Sequence, residues 1–142
     1  MVYISLYLSL KTFEYYINTK KQRLSFLYHW FKYKHLSFKL NYNIYPNTVG
    51  PGFRIYHKGN LTFVKPSCVI CKNCTLLTGV VFGNKKEQND YLSVIVGDNC
   101  YFGLDVKTFG KVKIGNKVTI GANCVVTKDI LTAQLSLAFQ LR

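Results

Sequence analysis

Of the three histidines in this 142-residue chain, His57 has the setting that could do chemistry. It lies in Gly50-Pro51-Gly52-Phe53-Arg54-Ile55-Tyr56-His57-Lys58-Gly59-Asn60, beside an irregularity in the chain's repeat. An imidazole titrates near neutral pH, so a lone one beside an irregular turn is a candidate general base. His29 and His35 fall in a basic, aromatic stretch where packing or surface roles account for them. The five cysteines are the other candidates, and Cys68, Cys71 and Cys74 have the spacing of a zinc site. No histidine follows them, however, and Cys68, Cys74, Cys100 and Cys124 recur in a register of small interior residues. In that register cysteine acts as a compact hydrophobe, so structural thiols and no metal are expected.

These residues hang on a repeat of six. From Val64, apolar residues fall at Ile70, Leu76 and Phe82, and the series resumes at Val96, Phe102, Ile114, Ile120 and Val126, with Thr108 its polar member. Four residues after each start comes a smaller residue: Cys68, Cys74, Val80, Cys100, Val106, Val112, Val118, Cys124 and Ile130. A helix repeats near 3.6 and a strand alternates at 2, so neither explains the spacing. Three hexads make one triangular coil, and stacked coils bury a column of side chains, which is an all-β solenoid, the parallel β-helix. Glycines follow several starts (Gly83, Gly97, Gly103, Gly115, Gly121) and are read as corner-turning residues. Val49 and Ile55 are offset from Val64 by three residues, which places a phase slip at Leu61-Thr62-Phe63. Phe82 to Val96 spans fourteen residues rather than twelve, and residues 84–91 (NKKEQNDY) are almost wholly polar, an insertion suited to displaying binding residues. The prism is about 20 Å tall, so its flat faces and open ends predict oligomerisation.

Three segments follow: 1–45 basic and helical, 46–130 the β-helix, and 131–142 an atypical tail. Leu24, Leu27 and Phe31 have helical spacing within residues 20–38, predicting a helix that packs on the N-terminal end of the solenoid. The interspersed lysines also suit weak contact with a membrane surface. The net charge of +13 is spread along the chain, with no zinc-finger, helix-turn-helix or RNA-binding signature, so no nucleic-acid partner is expected. No apolar run approaches the length of a spanning helix and the N-terminus lacks the pattern of a signal peptide, so a cytoplasmic protein is expected.

The stretch GPGFRIYHKGNLTFVKPSCVICKNCTLLTGVVFGN, followed by VIVGDNCYFGLDVKTFGKVKIGNKVTIGANCVVTKDI, resembles the serine O-acetyltransferase family, and most closely its branch found beside bacterial polysaccharide genes. The resemblance covers roughly residues 43–130. It implies a left-handed β-helix, a homotrimer, acetyl-CoA as co-substrate, and His57 as general base toward a small-molecule hydroxyl acceptor. It further implies CoA contacts at Gly83, Asn84, Gly103, Leu104, Gly121, Ala122 and Lys128, in a groove between neighbouring prisms, and acceptor contacts at Arg54, Tyr56 and Ser93. Serine-specific members carry Asp before this histidine and a second histidine after the loop. Here Tyr56 and a position near Ser93 stand there, which leaves a sugar hydroxyl as open as serine. Past Ile130 the chain departs from the family, so a degenerate or truncated scaffold is the alternative.

Overall fold

The computed structural model describes residues 2–19, 23–56, 60–83, 94–131 and 135–136. Helices α1 (Val2–Thr19) and α2 (Arg23–Leu40) precede thirteen short strands among the described residues. The first coil holds β1 (Tyr42–Ile44) and β2 (Arg54–Ile55); the second holds β3 (Thr62–Val64), β4 (Val69–Ile70) and β5 (Thr75–Leu76). The third holds β6 (Val81–Gly83), β7 (Val94–Val96) and β8 (Tyr101–Phe102), and the fourth β9 (Lys107–Phe109), β10 (Val112–Ile114) and β11 (Thr119–Ile120). The fifth ends the described chain with β12 (Val125–Val126) and β13 (Leu135–Ser136). All pairs are parallel and form three sheets, β1-β3-β6-β9-β12, β4-β7-β10 and β2-β5-β8-β11-β13. The bridges Val49–Ile70 and Ile114–Ile130 carry the second sheet through all five levels. The ladder thus begins at Tyr42, ahead of residue 46, and backbone pairing of Leu135 with Thr119 takes it past residue 130.

Each sheet sends one side chain per coil into the prism. Ile44, Val64, Phe82, Thr108 and Val126 stack on the first sheet, and Val49, Ile70, Val96, Ile114 and Ile130 on the second. Ile55, Leu76, Phe102 and Ile120 stack on the third, and none of these fourteen is more than 8% exposed. Ile130, expected at the small corner position, is instead an inward residue, reached from Val126 by a corner two residues short. Cys68, Cys74, Cys100 and Cys124 are buried at corners as read, while Cys71 is half-buried. Cys74 Sγ lies 3.1 Å from Gly97 O, and the hydrogen bond it shares with Cys100, together with burial, pushes its thiol well up.

The corners correct the glycine reading. Left-handed backbone occurs at the third residue after the inward one, at Gly52, Asn73, Gly79, Asn99, Asp105, Lys117 and Asn123. Asn, Asp and Gly tolerate that conformation best. The glycines directly after the inward residues have ordinary φ, and Gly50, Gly97 and Gly103 serve close approach between coils. A Cβ on Gly103 would sit 2.6 Å from Ala122 N, and one on Gly50 2.8 Å from the Cys71 carbonyl carbon.

Two irregularities are relocated by the register. Phe82 and Val96 occupy adjacent faces, so a step of fourteen residues replaces the usual step of six, an insertion of eight. The slip near Leu61 lies earlier than read: Thr62 and Phe63 belong to β3, and the three extra residues fall within 56–61.

The helices close the N-terminal end, where the first coil has no neighbour to take its backbone groups. Lys11 Nζ donates to Val49 O (2.6 Å) and Tyr7 OH to Gly50 O (3.5 Å). Tyr33 OH donates to Ile44 O and Ser37 Oγ to Tyr42 O, while Glu14 Oε1 accepts from Asn47 N at 2.8 Å. Leu6, Leu10, Phe13, Tyr33 and Leu40 bury the space beneath. The expected apolar face of α2 is reversed: Leu24, Leu27 and Phe31 are exposed, and Tyr33, Ser37 and Leu40 face inward.

Candidate active site

The prism has three edges, and the sequence-derived site residues divide between two of them. The edge where the third sheet passes to the first carries Tyr56, Asn60 and Leu61 on the first turn and then three stacked corners: Leu77 to Gly79, Gly103 to Asp105, and Gly121 to Asn123. Backbone bonds lock them in register, Tyr56 N to Leu76 O (3.2 Å), Leu77 N to Phe102 O (3.0 Å), Gly103 N to Ile120 O (2.8 Å) and Asn123 N to Leu104 O (2.7 Å). Gly103 and Leu104 therefore lie directly beneath Gly121 and Ala122, and Leu104 is 41% exposed. This brings four of the seven expected CoA residues onto one strip of backbone with an exposed apolar side chain.

Arg54 and Tyr56 are both exposed at the lower end of the same edge, Arg54 on β2 opposite Thr75. Tyr56 and Asn60 border residues 57–59, and His57 lies outside the described residues. Asn84 and Ser93 lie outside them as well.

Gly83 and Lys128 stand on a different edge, where the first sheet passes to the second. Gly83 ends β6, with its carbonyl accepting from Gly110 N at 3.1 Å and the Phe109 ring against its Cα face. Lys128 is exposed, two coils further along, in the short corner beside Asp129, whose Oδ1 accepts from Lys113 N at 2.8 Å. Within one chain these two do not converge with the Gly103 and Gly121 corners. The described chain breaks off at Gly83 and resumes at Val94 across that same edge.

A polar cluster that the sequence reading did not single out occupies the first of these edges. Asn60 Nδ2 donates to Asp105 Oδ1 (3.4 Å), Thr78 Oγ1 to Asn60 O (3.0 Å), and Lys107 Nζ to Gly79 O. Lys107 Nζ also lies 3.5 Å from Asp105 Oδ1. The cluster ties Asn60, just ahead of β3, to the corners of the next two coils. Its only sequence signal is Asp105, a polar residue at the left-handed corner position. Among the described residues no group of His, Cys, Asp or Glu is arranged to hold a metal ion.

No family model matches the chain. A serine acetyltransferase of Staphylococcus aureus (strain Mu50) is 33% identical over 64 residues, which are 45% of this chain and 30% of that protein. The chain thus spans less than a third of the length of the curated relative it matches. Soybean serine acetyltransferase complexed with serine superposes with a TM-score of 0.73 at 19% identity, covering 88% of this chain and 50% of that one. A serine acetyltransferase in complex with CoA gives 0.68 at 23% identity, covering 88% and 49%. The chain is thus similar in sequence and fold to the serine acetyltransferases, and its fold is the left-handed parallel β-helix of hexapeptide repeats behind an N-terminal helical segment.

Proposed function

We propose, from that likeness, that the protein is an acetyl-CoA-dependent O-acetyltransferase with His57 as general base and serine or a saccharide hydroxyl as acceptor. The imidazole takes the proton of the acceptor hydroxyl while its oxygen attacks the thioester carbonyl of acetyl-CoA. The tetrahedral oxyanion collapses, the carbon–sulfur bond breaks, and the departing thiolate takes the proton back from the imidazolium. No acyl-enzyme is required, and the buried cysteines take no part.

The observation that carries this reading is the strip at Gly103, Leu104, Gly121 and Ala122, continuous along one edge with Tyr56, the residue before His57 in sequence. The strip offers backbone and one exposed leucine to the apolar, amide-bearing arm of CoA. Gly83 and Lys128, on another edge, reach the same ligand only if a neighbouring prism presents that edge. The proposal therefore includes a homotrimer with each site between two chains, Lys128 meeting phosphate charge from the neighbour.

Thiol release from acetyl-CoA, offered L-serine and then a panel of sugars, tests the reading. Wild type should turn over only with an acceptor, and His57→Ala should lower turnover by about 10² to 10⁴ without loss of assembly. Near-wild-type turnover in that variant removes His57 from the mechanism. A well-folded wild type that neither releases thiol nor binds CoA in calorimetry is an inactive scaffold.

A further inference from the structure

Helix α2 presents outward what a helix buried against a solenoid end would turn inward. Leu24, Leu27, Phe31 and Phe38 recur at spacings of three, four and seven, so they form one stripe along the helix. All four are exposed, Phe38 by 90%, Leu24 by 84% and Phe31 by 68%. The opposite side is already engaged, with Tyr33 and Ser37 bonded to carbonyls of the first coil and Leu40 in the core. Among the described residues the stripe is thus left largely uncovered. Exposed large apolar side chains collected on one face mark an interaction surface.

Charge selects the partner. Exposed Lys32 and Lys39 flank the stripe on one side and Lys34 on the other, and the sequence of α2 contains no Asp or Glu. A second copy docking here would set three lysines against three with no acid between them, which like-charge repulsion opposes. An apolar stripe bordered by lysines is instead the pattern of a helix that lies in the interface of an anionic membrane, its aromatic rings at the acyl boundary and its amines among the phosphates. Beside the stripe, a groove of about 240 Å³ is lined by Lys34, Asn41, Asn43, Phe38 and Leu61. It combines a cation and two amides with two exposed apolar side chains, a set suited to a phosphate-bearing lipid headgroup. No described helix is long and apolar enough to cross a membrane.

We propose that the outer face of α2 docks the protein peripherally on an anionic phospholipid bilayer, with Leu24, Leu27, Phe31 and Phe38 entering the interface and Lys32, Lys34 and Lys39 meeting lipid phosphate. The groove borders the candidate site's edge through Leu61, but the stripe and its three lysines all belong to α2, so the proposal stands apart from the acetyltransferase reading.

Co-sedimentation with vesicles of phosphatidylcholine, with and without phosphatidylserine, tests it on the full chain. Wild type should partition to the anionic vesicles at least about tenfold better than to the neutral ones, and added salt should reduce the difference. Lys32→Gln, Lys34→Gln and Lys39→Gln together should weaken anionic binding by about a hundredfold, near fivefold per lysine. Phe31→Ser with Phe38→Ser should weaken it at least about tenfold through lost apolar burial. Both variants alter exposed side chains, and their melting temperatures should match wild type. Wild type that stays in the supernatant, binds both vesicles equally, or binds undiminished in both variants overturns the proposal. Sedimentation velocity covers the remaining case: no vesicle binding, with a wild-type assembly that the serine variant splits, assigns the face to a second copy and also overturns it.

Discussion

At single positions, the prism holds several side chains against their intrinsic preference. Thr108 sits between Phe82 and Val126 in the first inward stack, fully buried, and its Oγ1 has no hydrogen-bond partner among the described residues. A buried hydroxyl without a partner costs on the order of 1 kcal/mol or more. Thr108→Val keeps the shape, and urea unfolding should show it more stable by about 1 kcal/mol. Lys117 is the one lysine among left-handed corners otherwise made by Asn, Asp and Gly, at φ 57°. Lys117→Asn should stabilise by a few tenths of a kcal/mol to about 1 kcal/mol, since Asn enters that region more readily. Gly103→Ala should do the reverse. Its Cβ meets the backbone of the next coil at 2.6 Å from Ala122 N, so stability should fall by about 2 kcal/mol or more, with CoA binding lost alongside.

At the scale of elements, the helical cap carries its own pH signature. Burial is the chief cause pushing Tyr33 from 10.0 up to about 12, partly offset by its hydrogen bonds to Ser37 and the Ile44 carbonyl. Between those values the unfolded chain gives up the phenol proton while the folded chain keeps it. The contribution is therefore complete below pH 10 and is lost as pH rises toward 12. Tyr33→Phe should be less stable than wild type at neutral pH by about 1 kcal/mol, the value of the lost hydrogen bond. From pH 10 to 12 wild type should lose about 2 to 3 kcal/mol that the variant does not, so denaturation curves taken across that range should converge or cross. Parallel curves would mean that Tyr33 is not held in the cap.

The cap also marks where reading from residues ran out. The hexads were legible because each inward side chain is apolar and returns every six residues, and burial follows that series through Thr108. Helix α2 was legible as a helix but not in its orientation. Tyr33 and Ser37 face inward because they hydrogen-bond carbonyls left open by the first coil, and apolar periodicity carries no trace of that demand. The insertion was undercounted for a similar reason: only strand register reveals that Phe82 and Val96 are consecutive inward residues. Of the candidate site, the Gly103 and Gly121 corners came together because they are one coil apart. Lys128 and Gly83 did not, because their hexads end on another edge.

For the whole molecule, the proposed site, its residues divided between two edges, would make assembly a condition of activity. Sedimentation equilibrium should give three chains per particle, and dilution that dissociates the trimer should abolish turnover and CoA binding together. A monomer with full activity would refute the shared site. The ladder of five levels has a further consequence, mechanical in kind. Side-chain bonds from two helices fasten the first coil, so a pull on the C-terminus should peel the prism from its far end, coil by coil. Each regular coil of eighteen residues should lengthen the tether by about 60 Å. The coil from Phe82 to Thr108 spans 26 residues and should release about 90 Å, one long step that serves as a fiducial mark in the force trace.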